Sequence, residues 1–175
     1  MLRLLFFVAS LAYAQKYGVG RPAAAPDIAA KNYSVSVKGE GLPPGGGTAA
    51  EGEPLYGKHC STCHGPKLQG DGEQGYPAIA GGIGTLASPK PVKTVGSYWP
   101  YATGVFDYIR RAMPYDHPRT LTTDEYYAVT AYVLSVNGIV KQDERLDAVS
   151  LPKVNMPNRD GFFVDPRVSG KKPTY

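Results

Sequence analysis

The chain has 175 residues and a mass of 18.7 kDa, the size of one domain with room for extensions. Its 21 Gly and 16 Pro make up about a fifth of the residues, above the average of about 12% yet below the roughly 25–30% at which low-complexity chains begin, and they show no collagen period. A mean hydropathy of −0.27 without a long apolar run excludes a membrane bundle. Two Cys exclude a multi-disulfide scaffold, and a net charge of +4 without a Lys/Arg-rich run leaves no footprint for nucleic acid.

Residues 1–14 read as a secretory signal peptide. Arg3 supplies the positive start, Leu4 to Ala9 with Leu11 the apolar stretch, and Ala12-Tyr13-Ala14 a small-x-small cleavage site. The mature chain is then expected to start at Gln15, in an oxidising, extracytoplasmic setting. Residues 15–50 read as an irregular arm, because Pro22, Pro26, Pro43, Pro44 and three consecutive Gly from Gly45 break any long element. The alternation Tyr33-Ser34-Val35-Ser36-Val37 predicts one short strand there.

Residues 51–138 carry the helical signals. Glu53-Pro54-Leu55 suggests a helix with Pro at its first position. Residues 65–100 are rich in Gly and Pro and read as loop. Residues 101–112 form a helix candidate with Val105, Phe106 and Ile109 on its apolar face, stopped by Pro114. Thr122-Thr123-Asp124-Glu125 is a capping box. It opens the strongest helix, with Ala128, Val129, Tyr132, Val133 and Val136 as its stripe and Asn137-Gly138 as its end. Residues 139–175 read as a polar C-terminal extension.

Both cysteines fall in Cys60-Ser61-Thr62-Cys63-His64, the attachment signature of a c-type haem. Two thiols separated by two residues can add to the two vinyl groups of the porphyrin, and the following His then lies beneath the iron as its proximal ligand. Two other chemistries use the same residues. A Cys60–Cys63 redox pair would want a βαβ context, and a zinc site with His59 and His64 would want a second, distant ligand pair.

The sixth ligand is open between Met113, Met156, His117 and none. Met113 is favoured, since Pro114 forces it out of helical geometry and the flanking helices fix the loop. His/Met ligation would raise the potential and close the iron to small ligands. His64 needs an acceptor for its other ring nitrogen, and a carbonyl in the turn containing Tyr76, Pro77, Ala78 and Ile79 is the candidate. Trp99, Tyr98, Arg110 and Arg111 are candidate donors to the haem propionates, with ordinary packing as the competing reading for each. Lys58, Lys67, Lys90 and Lys93 are candidates for a basic rim that steers an acidic partner, with dispersed solubilising charge as the alternative.

From about Pro54 to Gly138 the chain resembles a class I c-type cytochrome. Gly65, residues 76–81 and Met113-Pro114 fit that pattern. Residues 94–137 and the stretch from Met156 to Phe162 are similar to the cytochrome subunits of bacterial sulfite and sulfane dehydrogenases, and related haem domains occur in thiosulfate dehydrogenases. The resemblance implies an all-α fold of short helices wrapped around one covalent haem c, with Met113 as distal ligand. It implies a molybdenum sulfite-oxidising subunit as electron donor, and a downstream cytochrome or oxidase as acceptor. Such a protein carries electrons and makes no substrate bond. A free shuttle between respiratory complexes and a haem enzyme of the thiosulfate dehydrogenase kind are the alternatives. Termini packed only on the chain's own core would weigh towards the shuttle.

Overall fold

The computed structural model describes residue 17 and residues 19–165. The expected signal peptide lies outside these residues. The chain divides into two units, Met1–Asn32 and Tyr33–Tyr175. The described part of the first holds one short helix, α1 (Ala25–Lys31), with Pro26 in its first turn and no buried residue. Pro is tolerated there because the first helical N–H groups have no partner in any case.

The second unit holds strand β1 (Gly46–Gly47), helices α2 (Ala49–His59), α3 (Ser61–His64), α4 (Ala102–Ala112) and α5 (Thr123–Val136), strand β2 (Leu146–Asp147) and a 3-10 turn at Leu151–Lys153. Helix α2 starts at Ala49, five residues before Pro54, its expected first position. Thr48 and Glu51 form a second capping box: Glu51 N–H donates to Thr48 Oγ1 (3.3 Å) and Thr48 N–H donates to Glu51 Oε2 (2.7 Å). Pro54 therefore sits inside the helix rather than at its start. The bond it forfeits belongs to the carbonyl of Ala50, an exposed residue. The expected box at α5 is present with the same geometry. In both boxes the hydrogen bond from the cap residue's N–H holds the Glu carboxyl below its usual range.

Helix α5 is the centre of the core. The sequence suggests a single stripe, but Tyr126, Tyr127, Thr130, Ala131 and Leu134 are buried along with Ala128, Val129 and Val133, and Val136 is exposed. A helix buried on most of its circumference is covered from several sides. Here α2, α4, β1 and β2 all pack on it. Against α4, the Phe106 and Tyr127 rings lie 4.4 Å apart.

At the crossing of α2 and α5 no side chain fits between the helices. A Cβ on Gly52 would lie 2.0 Å from the carbonyl oxygen of Ala128 and 2.9 Å from Cβ of Tyr132. One turn on, the Tyr56 and Tyr132 rings meet at 5.2 Å. Gly52→Ala is accordingly expected to destabilise the protein by about 2 kcal/mol, because overpacking outweighs the gain of about 1 kcal/mol in helix propensity. Chemical denaturation checks this, and a variant as stable as the parent would show that the helices separate freely.

Two sequence expectations need correction. No strand forms over residues 33–37; the Val35 N–H donates to Asp107 Oδ1 (3.1 Å) instead of to a neighbouring strand. The core also extends beyond 51–138. Val35 and Leu42 pack against it, and Tyr127 donates its hydroxyl to the Pro43 carbonyl (2.9 Å). On the other side Leu146, Leu151, Val154 and Met156 are buried in it. Gly46 and Gly47 pair antiparallel with Asp147 and Leu146, which joins the two flanks.

Candidate haem-binding site

Cys60 follows α2 directly and donates its N–H to the Tyr56 carbonyl (2.9 Å). The next residues make the single turn α3, in which the His64 N–H reaches the Cys60 carbonyl (2.9 Å). Gly65 ends the turn at φ +75°, a conformation that favours glycine. Cys60 and Cys63 are thus one helical turn apart, on neighbouring positions of one face. Both thiols are free and partly buried. Burial, with Cys63 adding to it, pushes the Cys60 thiol up to about 11. A reactive thiol is favoured by a lowered value instead. Among the described residues no group of three or more His, Cys, Asp or Glu is placed to hold a metal ion.

His64 Nδ1 lies 3.0 Å from the carbonyl oxygen of Pro77. A carbonyl only accepts, so Nδ1 carries the proton and donates, and Nε2 keeps its lone pair for a ligand. The acceptor expected from the 76–79 turn is therefore present, at Pro77. Several backbone bonds position it. Gly70 N–H donates to the His64 carbonyl (2.7 Å), and Ile79 and Ala80 N–H both donate to the Leu68 carbonyl (2.9 and 3.2 Å). Leu68 is fully buried at φ +59°, a costly conformation for a branched side chain, of the kind that clusters at functional sites. Gly70 is at φ +71°, and a Cβ there would lie 2.5 Å from Ala78 N and Tyr76 O. Tyr56 closes the loop from below, donating its hydroxyl to the Gly65 carbonyl (2.7 Å).

Met113 caps α4 in extended conformation (φ −122°, ψ 148°), its N–H still bonded to the Ile109 carbonyl, and its side chain is partly buried. Met156 is 1% exposed and packs in the core cluster with Leu151 and Val154, so it is spent on packing. His117 is exposed, with Nδ1 on Asp116 Oδ1 (2.7 Å) and its ring 6.4 Å from that of His59.

The family model for cytochrome c matches residues 49–137. The chain belongs to the cytochrome c family. The crystal structure of the sulfane dehydrogenase SoxCD from Paracoccus pantotrophus contains a chain 40% identical to this cytochrome, with a TM-score of 0.79, over 91% of this chain and 81% of that one. No curated protein matches it. Family membership brings a covalently held haem c and a role in electron transfer.

The residues of this cytochrome fit that group. Cys60 and Cys63, two free thiols one turn apart, could take the covalent bonds, the His64 imidazole oriented through Nδ1 could serve as one axial ligand, and the Met113 thioether, outside its helix, is of a type that can serve as the other. In the chain between His64 and Met113, Ile79, Trp99 and Ile109 are only partly covered by the core, and Ile83, Val92, Tyr98 and Tyr108 are exposed. The remaining sequence candidates are placed unevenly. Trp99 packs edge-on against Tyr108 (5.8 Å). Tyr98 packs edge-on against Phe162 (5.2 Å), with the Lys93 ammonium 5.2 Å from its centroid. Arg110 is partly buried, whereas Arg111 pairs with Asp107 four residues earlier. That carboxylate also holds Val35 N–H, so Arg111 is tied into the fold. Lys58, Lys67 and Lys90 are exposed. Sequence reasoning missed Leu68 and Gly70. The run of closely spaced Gly after the haem motif was the available signal for a tight loop there.

Proposed function

We propose that this cytochrome is an extracytoplasmic carrier of single electrons with one haem c, held by thioethers from Cys60 and Cys63 and ligated by His64 and Met113. In this reading it accepts electrons from a molybdenum-containing dehydrogenase of a sulfur compound and passes them to the respiratory chain. The His64–Pro77 hydrogen bond carries the ligand assignment, since it leaves Nε2 as a base and makes the imidazole a better donor. The haem iron, when bound, supplies the redox step by alternating between ferrous and ferric forms. The two thioethers fix the ring against the His64 loop. The Met113 sulfur, a soft neutral ligand, favours the reduced form and blocks small ligands. Trp99, Tyr98 and Arg110 are proposed donors to the propionates.

The donor is inferred from the likeness to a sulfane dehydrogenase chain at 40% identity. Thioether attachment takes place outside the cytoplasm, which agrees with the signal peptide read at residues 1–14. No helix among the described residues is long and apolar enough to cross a membrane. Exposed Lys58, Lys67, Lys90 and Lys93 offer an acidic partner a steering field.

One observation favours a free shuttle instead: residues 33–50 and 139–156 place Val35, Leu42, Leu146, Leu151 and Met156 in the chain's own core. Beyond them, Phe162, Phe163 and Val164 are at least half exposed and remain for a partner. Mixing the oxidised cytochrome with a sulfite- or sulfane-oxidising molybdoenzyme and its substrate separates the readings. Reduction of the haem with co-elution of the two proteins is the expected result for a subunit. Reduction without co-elution identifies a shuttle, and no reduction overturns the assigned donor.

A further inference from the structure

From the sequence Asn137 reads only as the end of α5. In the structure its side chain is buried and every polar atom of it is used. Nδ2 donates to the carbonyls of Val133 (2.8 Å) and Ile79 (3.2 Å), and Oδ1 accepts from Gly81 N–H (3.1 Å). Two carbonyls on one side and an N–H on the other fix the amide's orientation. The glycine against it is forced, since a Cβ on Gly96 would lie 2.2 Å from Asn137 Oδ1. Thr94 completes the clamp, donating Oγ1–H to the Gly81 carbonyl (2.6 Å).

The clamped segment, 79–81, begins two residues after Pro77, whose carbonyl receives the His64 Nδ1 proton. Besides Asn137 and Thr94, the segment is held by the Leu68 carbonyl, in the loop that also binds back to His64 through Gly70. Asn137 is the anchor that fixes the segment to the end of a buried helix. We infer that Asn137 is a positioning residue for the proximal ligand: it holds the Pro77 carbonyl at hydrogen-bonding distance from His64, and so sets the basicity of the imidazole and the reduction potential. The inference rests on His64 being the haem ligand.

A stronger Nδ1–H bond makes the imidazole a better donor and favours the ferric form. Loosening it raises the potential. The test uses holo-protein carrying Asn137→Ala, with Leu151→Ala as a control that removes a fully buried side chain elsewhere in the core. Asn137→Ala is expected to raise the potential and to let the His64 Nδ1 proton exchange about tenfold faster, as seen by NMR of the ferrous protein. Leu151→Ala is expected to lower the melting temperature and leave both readings as in the parent. If Asn137→Ala yields no folded holo-protein, Thr94→Val carries the same test with the same signs. A potential and an exchange rate that stay at the parent values, or that move equally in the control, overturn the inference. A parent protein without haem on Cys60 and Cys63 overturns the proposed function beneath it.

Discussion

Replacing Met113 with Ala is expected to leave the haem attached while abolishing the long-wavelength sulfur-to-iron absorption band of the oxidised protein. In the proposed site the covalent bonds and the proximal ligand would lie in residues 60–64, far along the chain from α4, so attachment would not depend on Met113. The potential should fall by an amount on the order of a hundred millivolts, a fraction of the about 0.8 V that axial ligands span. A solvent oxygen ligand stabilises ferric iron better than a thioether does. Met156→Ala serves as the contrast. That side chain is 1% exposed in the core, so its loss should cost about 2–4 kcal/mol of stability and keep the band. A Met113→Ala protein with an unchanged spectrum would move the sixth ligand elsewhere. His117 would need to leave Asp116 to take its place.

The second large effect concerns folding. A chain with Cys60→Ala and Cys63→Ala is expected to lose most of its helical circular dichroism and its cooperative melt. Helices α2, α4 and α5 have 11, 11 and 14 residues, at or below the length of about 12–15 at which an isolated helix is marginal. They depend on tertiary burial. The 65–100 segment has no regular helix or strand, only turns and one isolated bridge between Asp71 and Tyr76, and it leaves Tyr76, Ile83, Val92 and Tyr98 uncovered. A large apolar ring attached at Cys60 and Cys63, next to α2, would add burial that this segment does not supply for itself, so the free energy of attachment would contribute to folding, as in other cofactor-dependent domains. A native-like melt of the double variant would show that the protein packing suffices alone.

The Cys60–His64 motif stands out in the sequence because the attachment chemistry it matches is encoded in five adjacent residues and needs no tertiary information. Helix α5 was legible through its capping box, and the end of α4 through Pro114, because both signals are local. The box at Thr48 and Glu51 is the same local signal, and it starts α2 five residues before Pro54, the first position that the proline rule suggests. The acceptor for His64 was legible as the turn at residues 76–79 with Pro77 as its site residue, while the geometry that aims the Pro77 carbonyl at the ring depends on the Leu68 and Gly70 conformations. The flanks were misjudged for a different reason. Leu42, Leu146 and Leu151 are isolated apolar residues without a period, and their burial depends on pairings of long sequence separation. The alternation at 33–37 is real in the sequence but finds no strand to pair with. Asn137 shows the same limit: an Asn-Gly pair marks a helix end, and nothing local indicates that its amide also holds a loop more than fifty residues earlier.

The most direct test is the intact mass of the purified protein after denaturation in acid and organic solvent, read together with thiol alkylation. The expected result is the mass of the chain plus one haem that extraction does not remove, with Cys60 and Cys63 both closed to alkylation. A chain at its bare mass with two alkylatable cysteines would contradict the assignment of a covalent haem to this site.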